Sequence, residues 1–244
     1  MTTEKQKLKD AIFFTLVFLF IAWAVFLLEE FLGFKIKQYG MYPRKLEGLR
    51  GLFSMHFLHG DWKHIRGNSL SFFVLTTMLF YFYRKIAFKV FIYIAIFGGI
   101  LLWLGGRPSN HIGASLIIFG EAFFLFFAGL FSKNPKLLRV GLVVAFFYGS
   151  MVWYLFPIDP HVSWEGHASG ALSGIILAWL YKEQAPQRSK TRWEIEEEKE
   201  ELWKNLRDDQ ITIRKPVEVT EYGEIYYRLP EKMNVVYHYK PTKE

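Results

Sequence analysis

Cysteine is absent from this 244-residue chain. That excludes a thiolate nucleophile and a disulfide framework, although it says little about compartment. Metal-binding patterns are missing too. There is no H-E-x-x-H, and His56, three residues before His59, has no cysteine or second carboxylate cluster with which to build a zinc site around His64. No metal and no cofactor is expected. The apolar stretches carry no paired charges and show no inverted repeat, which argues against a transporter or channel. The first stretch lacks a small-residue cleavage site and ends in Glu29 and Glu30, so it is expected to stay as a helix and not to act as a signal peptide. The net charge of +7 is explained by contact with an anionic membrane leaflet and makes no case for nucleic acid.

What is present is hydrophobicity gathered into blocks. Hydrophobic residues make up 52% and aromatic residues 19% of the chain, yet the mean hydropathy is only +0.13, so the apolar residues are unevenly distributed. Six blocks stand out, at 10–32, 70–83, 87–104, 114–131, 140–156 and 168–181. Three are a little short for a hydrocarbon core that takes roughly 20 helical residues to cross, with some latitude, unless the polar segments just upstream also enter it. The expectation is an all-α membrane protein of six transmembrane helices with a small soluble C-terminal tail. Basic residues set its orientation: Lys5, Lys7 and Lys9 precede the first block, Arg84, Lys85 and Lys89 follow the second, Lys133, Lys136 and Arg139 follow the fourth, and Lys182 follows the sixth. Both termini are therefore expected in the cytoplasm. The long first connection, 33–61, is basic but rich in Phe, Leu and Met, and is expected to lie partly in the membrane interface.

In this topology the second, fourth and sixth helices all run inward, so their N-terminal ends share one membrane face. The polar residues sit at those ends: His59, His64 and Asn68 at the second, Ser115 at the fourth, His167 at the sixth. Polar groups inside a bilayer are costly and usually functional. Hydroxyl, imidazole and amide groups delivered to a similar depth by three segments are what a reaction centre requires.

These residues resemble the rhomboid family of intramembrane serine proteases, in its bacterial form with a six-helix core. The segment from His59 through His64 to Asn68 fits the family's H-x4-H-x3-N, Gly113-Ala114-Ser115 fits the start of its G-x-S-G, and His167, Gly170 and Gly174 fit its H-x2-G-x3-G helix. The resemblance implies a serine endopeptidase of the bacterial inner membrane that cleaves transmembrane protein substrates whose helix frays near the outer face. It divides the chain into a cytoplasmic N-terminus (1–9), a six-helix protease core (10–182) and a soluble cytoplasmic tail (183–244). A catalytically silent relative that binds membrane segments is the alternative.

Ser115 is expected to attack, with His167 as base and then acid, a dyad with no carboxylate near the histidine in its own helix. Phe119, one turn after Ser115, is placed to stack on His167 or else to face lipid. His64 and Asn68 lie four apart and share a helix face. By resemblance they donate, with the Ser115 amide, to the oxyanion; they could equally join helices together. Gly170 and Gly174 share a stripe with His167 and let two backbones approach closely, with Gly113 and Gly120 as the facing stripe. One departure from the family pattern is Leu116, where glycine usually follows the nucleophile; it narrows the site or shifts the Ser115 amide.

Other polar residues have weaker claims. Glu121, well inside the fourth block, is protonated, faces a wet interior or marks a tilt. Glu165 is expected to point toward the mouth of the site. His111 and Asn110 bind backbone near that mouth or cap a helix. Arg50 and Glu47 pin the first connection. In the tail, 186–191 resembles a linker, 192–206 a helix, and 211–213, 225–227 and 235–239 short strands.

Overall fold

The computed structural model describes residues 3–186 and 192–208, together with the pairs 218–219, 225–226 and 236–237. The chain divides into two units, Met1–Arg188 and Ser189–Glu244.

The first unit is helical. Helix α1, Glu4–Leu32, starts where Thr3 Oγ1 accepts the Gln6 amide and stops at Gly33, whose φ of 70° only glycine adopts cheaply. Its buried stripe, Ala11, Thr15, Phe18, Ala22 and Phe26, repeats every three or four residues and packs on α3. After it the first connection folds through 3₁₀ turns and a single α-helical turn, α2, Gly51–Ser54. Helix α3, Trp62–Phe82, is capped by Asp61, which accepts the His64 amide at 2.9 Å; that bond holds the Asp61 carboxyl below its ordinary pKa. Helix α4 spans Ala87–Gly105 and α5 Ser115–Phe131. Helix α6, Pro135–Tyr148, begins with Asn134 as cap and proline at its first turn, then tightens into a 3₁₀ segment, Gly149–Leu155. Helix α7, Trp164–Leu180, is capped by Ser163.

Helix α5 sits at the centre, packed by α3, α4, α6 and above all α7. A second cluster of stacked rings joins α1, α3 and α4: Phe14 with Phe80 at 4.0 Å, and Phe18 with Phe72 at 4.2 Å, both against the edge of Phe91. The outer faces are apolar as well. Phe13, Phe20 and Phe146 are 71%, 74% and 83% exposed, an arrangement that lipid solvates and water does not. By length and composition Glu4–Leu32, Ala87–Gly105 and the run Pro135–Leu155 suffice to cross a bilayer, with Ser115–Phe131 a shorter apolar helix. Two short blocks extend upstream as their polar flanks join the helix, from 70 to Trp62 in α3 and from 168 to Trp164 in α7.

The second unit contains helix α8, Arg192–Asp208, and an antiparallel sheet of β1 (Glu218–Val219), β2 (Ile225–Tyr226) and β3 (Val236–Tyr237). The last two strands fall inside expected segments. The expected strand at 211–213 and residues 187–191 of the expected linker lie outside the described residues. Strand β1 has no apolar alternation to announce it: only two residues long, it is defined by its pairing with β2.

Candidate active site

Ser115 is the first residue of α5, so its amide belongs to the turn whose N–H groups have no acceptor within the helix. The chain reaches it through Gly113, whose φ of 115° excludes other residues and whose N–H donates to the Met55 carbonyl at 2.8 Å. A side chain there would also collide: a Cβ would lie 2.6 Å from His64 Nε2 and 3.2 Å from Asn68 Nδ2. Gly113 therefore belongs with the α3 residues, while Gly120 alone forms the facing stripe expected of both. The Ser115 hydroxyl makes no hydrogen bond among the described residues. Catalytic pairs often close only around substrate.

The protonation of each imidazole follows from its neighbours. His167 is buried on the first turns of α7, its ring stacked on Phe119 at 4.0 Å and 5°. Its Nδ1 lies 3.0 Å from the Tyr154 carbonyl in the 3₁₀ segment. A carbonyl only accepts, so Nδ1 carries the proton and Nε2 is left with its lone pair. This is the orienting role that a carboxylate fills in a triad. His64 has the opposite arrangement: the Gly60 amide donates to its Nδ1 at 3.4 Å, so Nε2–H is the free donor, facing Gly113. His59, buried, donates from Nδ1 to the Phe57 carbonyl at 3.4 Å and accepts at Nε2 from the Asn68 amide at 3.1 Å. One Asn68 N–H is thereby fixed and the other left over.

Backbone contact between α5 and α7 sets the level at which these groups meet. A Cβ on Gly170 would strike the Leu116 carbonyl, and one on Gly174 the Gly120 carbonyl. Leu116 does not narrow the site. It is buried and packs over Gly98 of α4, where an added Cβ would lie 2.7 Å from Leu116 Cδ2; the glycine makes room for the leucine.

A second set of bonds straps the 106–114 loop to the start of α7. His111 Nε2–H donates to the Arg107 carbonyl at 3.1 Å, so Nδ1 accepts from Ser163 Oγ at 2.6 Å, the same hydroxyl that caps α7. Burial lowers the His111 pKa below its ordinary value, which keeps this neutral form in place. Arg107 donates to the Val162 carbonyl at 2.6 Å and pairs with Glu165 at 3.4 Å. Glu165 is thus buried in the strap and does not point to the mouth, because an arginine 58 residues upstream in sequence draws it in. Met41 and His111 exchange backbone bonds at 2.9 and 2.8 Å, which joins the first connection to the same loop. Asn110 donates to the Lys37 carbonyl at 2.8 Å.

Tyr154, Ser163 and Arg107 were not among the expected site residues. Ser163 had a usable signal, a serine just before a helical run; a backbone carbonyl has none. Arg50 pins the first connection through the Gln38 carbonyl, whereas Glu47 makes no bond among the described residues. Glu121 is fully buried and accepts from Thr76 Oγ1 at 2.8 Å, which joins α5 to α3, while its other oxygen has no partner there. No group of three or more His, Asp or Glu among the described residues is arranged to hold a metal ion.

A core of apolar helices around a half-buried serine, an asparagine amide and three histidines marks a membrane protein with a polar interior. Residues 46–184 match the Rhomboid domain, more than half of the chain, and the protein belongs to the rhomboid family. It is similar to uncharacterized proteins of Mycobacterium tuberculosis and Mycobacterium bovis, each 34% identical over 186 residues, 71% of this chain and 75% of theirs. A Mycobacterium leprae protein, also uncharacterized, is 32% identical over 190 residues, 72% of each chain. The family is in general one of intramembrane serine proteases, and the apolar helices make this member an integral membrane protein.

Proposed function

We propose that the chain is an intramembrane serine endopeptidase with Ser115 as nucleophile and His167 as general base. The observation that carries this reading is the His167 ring itself, held between Phe119 and the Tyr154 carbonyl with Nε2 unprotonated. Ser115 Oγ attacks the scissile carbonyl carbon as its proton passes to His167 Nε2. The imidazolium that forms keeps Nδ1–H on Tyr154 O. The carbonyl oxygen, now an oxyanion, is met by His64 Nε2–H, the free Asn68 N–H and the Ser115 amide at the positive end of α5. His167 then gives its proton to the departing amine, and a water activated by the same imidazole hydrolyses the acyl-enzyme.

All six long helices, α1 and α3 to α7, cross the membrane in this reading, the shorter ones with their polar first turns submerged. Both termini are cytoplasmic, in a bacterial inner membrane, and the site opens to the opposite side. The division is a terminus at 1–9, a core at 10–182 and a tail at 183–244. Substrates are transmembrane segments that unwind near the outer face, because a carbonyl satisfied in an ideal helix is not presented to a nucleophile.

A serine-directed fluorophosphonate probe tests this. Wild-type protein should be labelled at Ser115, and Ser115→Ala and His167→Ala should not be. A folded wild-type protein that takes no label has the silent, segment-binding function instead.

A further inference from the structure

We propose that a cavity in the first connection is a binding site for the headgroup of a phospholipid bearing a phosphodiester and a protonated amine. The cavity holds about 310 Å³ and is lined by Gln38, Tyr42, Lys45, Glu47, Arg50 and Asn110. Its two cations are oriented by neutral groups. Lys45 Nζ lies 4.2 Å above the Tyr42 ring; the Arg50 guanidinium lies 4.6 Å from the Tyr39 ring and donates to the Gln38 carbonyl. Neither forms an ion pair with a carboxylate among the described residues, and Glu47 forms none with a cation. A positive pole and a negative pole therefore share one cavity without neutralising each other. A zwitterion of matching polarity complements both, its phosphate on Lys45 and Arg50 and its ammonium on Glu47.

The cavity is built in advance of any ligand. Arg44 has a φ of 59°, a conformation uncommon outside glycine, and is held there as its amide donates to the Trp103 carbonyl while Trp103 Nε1 donates to the Lys45 carbonyl. Gly40 and Gly48 line the walls where a Cβ would meet His111 or Tyr42 backbone. The same connection exposes apolar side chains: Leu46, between the lining residues Lys45 and Glu47, is 79% exposed, and Phe53, three residues after Arg50, is 71% exposed; they suit the acyl chains of a lipid whose headgroup lies in the cavity. Free phosphate has no chain to place there. The neighbouring Met41–His111 bridge and the Asn110–Lys37 bond lead to the 106–114 loop that precedes Ser115, so an occupied cavity braces that loop. The inference needs a membrane protein but not a protease.

Native mass spectrometry of the full chain in a nonionic detergent supplies the test, with dioleoylphosphatidylethanolamine, dioleoylphosphatidylcholine and inorganic phosphate as probes. The ethanolamine lipid should be retained about tenfold more tightly than the choline lipid, whose methylated nitrogen cannot donate to Glu47. Glu47→Gln should remove that preference, and Lys45→Gln should weaken retention of both lipids, while Lys136→Gln, in the first turn of α6, should change neither. Equal retention of the two lipids by the wild type, an unchanged preference in Glu47→Gln, unchanged retention in Lys45→Gln, or displacement of lipid by millimolar phosphate would each overturn the proposal. Because binding is read directly, its failure is separate from any failure of proteolysis.

Discussion

His167, the proposed base, is oriented without a carboxylate. Its ring lies flat on Phe119 and its Nδ1–H is spent on the Tyr154 carbonyl, so one rotamer and one tautomer are selected together. Phe119→Tyr keeps the ring face and should retain most activity, whereas Phe119→Ala should lower kcat by at least about tenfold with little change in KM, as read in a cleavage assay. Asn68→Ala should lower kcat by about a hundred- to a thousand-fold and leave KM nearly unchanged, because the oxyanion exists only beyond the ground state; a pure KM effect would assign Asn68 to substrate binding. Ser115, His167, His64 and Asn68 stand out in the sequence as candidates, since a polar residue at the start of an apolar block is conspicuous. Tyr154 does not, because its contribution is a main-chain oxygen. Leu116 was expected to narrow the site or to shift the Ser115 amide; its side chain packs into the notch over Gly98, a residue 18 positions away, which speaks against the first. Leu116→Gly should accordingly lower thermal stability by about 2 to 5 kcal/mol through the cavity it leaves, and should not raise activity.

At the level of elements, the site depends on how closely α5 and α7 approach and on the strap between the 106–114 loop and the start of α7. Gly170→Ala forces a methyl into the Leu116 carbonyl and should destabilise the protein by about 1 to 3 kcal/mol in a reversible unfolding assay, with activity falling alongside as Ser115 and His167 are pushed apart. The strap gives a pH dependence. Burial depresses the His111 pKa, so the unfolded chain takes the proton first as pH falls. The stability that His111 contributes is therefore complete above its unfolded value of about 6.5 and lost progressively below it. His111→Gln should show a shallower loss of thermal stability between neutral and mildly acid pH than the wild type; equal slopes would remove the strap from the account of stability. The helices themselves were readable as blocks, but the strap was not. Arg107 with Glu165, and His111 with Ser163, are more than fifty residues apart, and no periodicity connects a loop to a distant helix cap.

For the molecule as a whole, the proposed topology rests on the pattern of lysines and arginines, and the apolar outer faces of α1 and α6 suit a lipid surround. Cysteines introduced at positions 109 and 200 should react with an impermeant reagent from opposite sides of the membrane; reaction from the same side would contradict the six-span arrangement. Every proposed catalytic group lies before residue 182, so a chain ending at 189 should keep its cleavage activity. The most direct measurement is cleavage of a single-pass transmembrane reporter by the purified protein in proteoliposomes, wild type beside Ser115→Ala. The wild type should cut the reporter within or at the edge of its membrane segment, and Ser115→Ala, folded and inserted to the same extent, should leave it intact. Cutting by Ser115→Ala at the wild-type rate would contradict the proposed nucleophile, and an uncut reporter in both would leave the chain a member of the family without its chemistry.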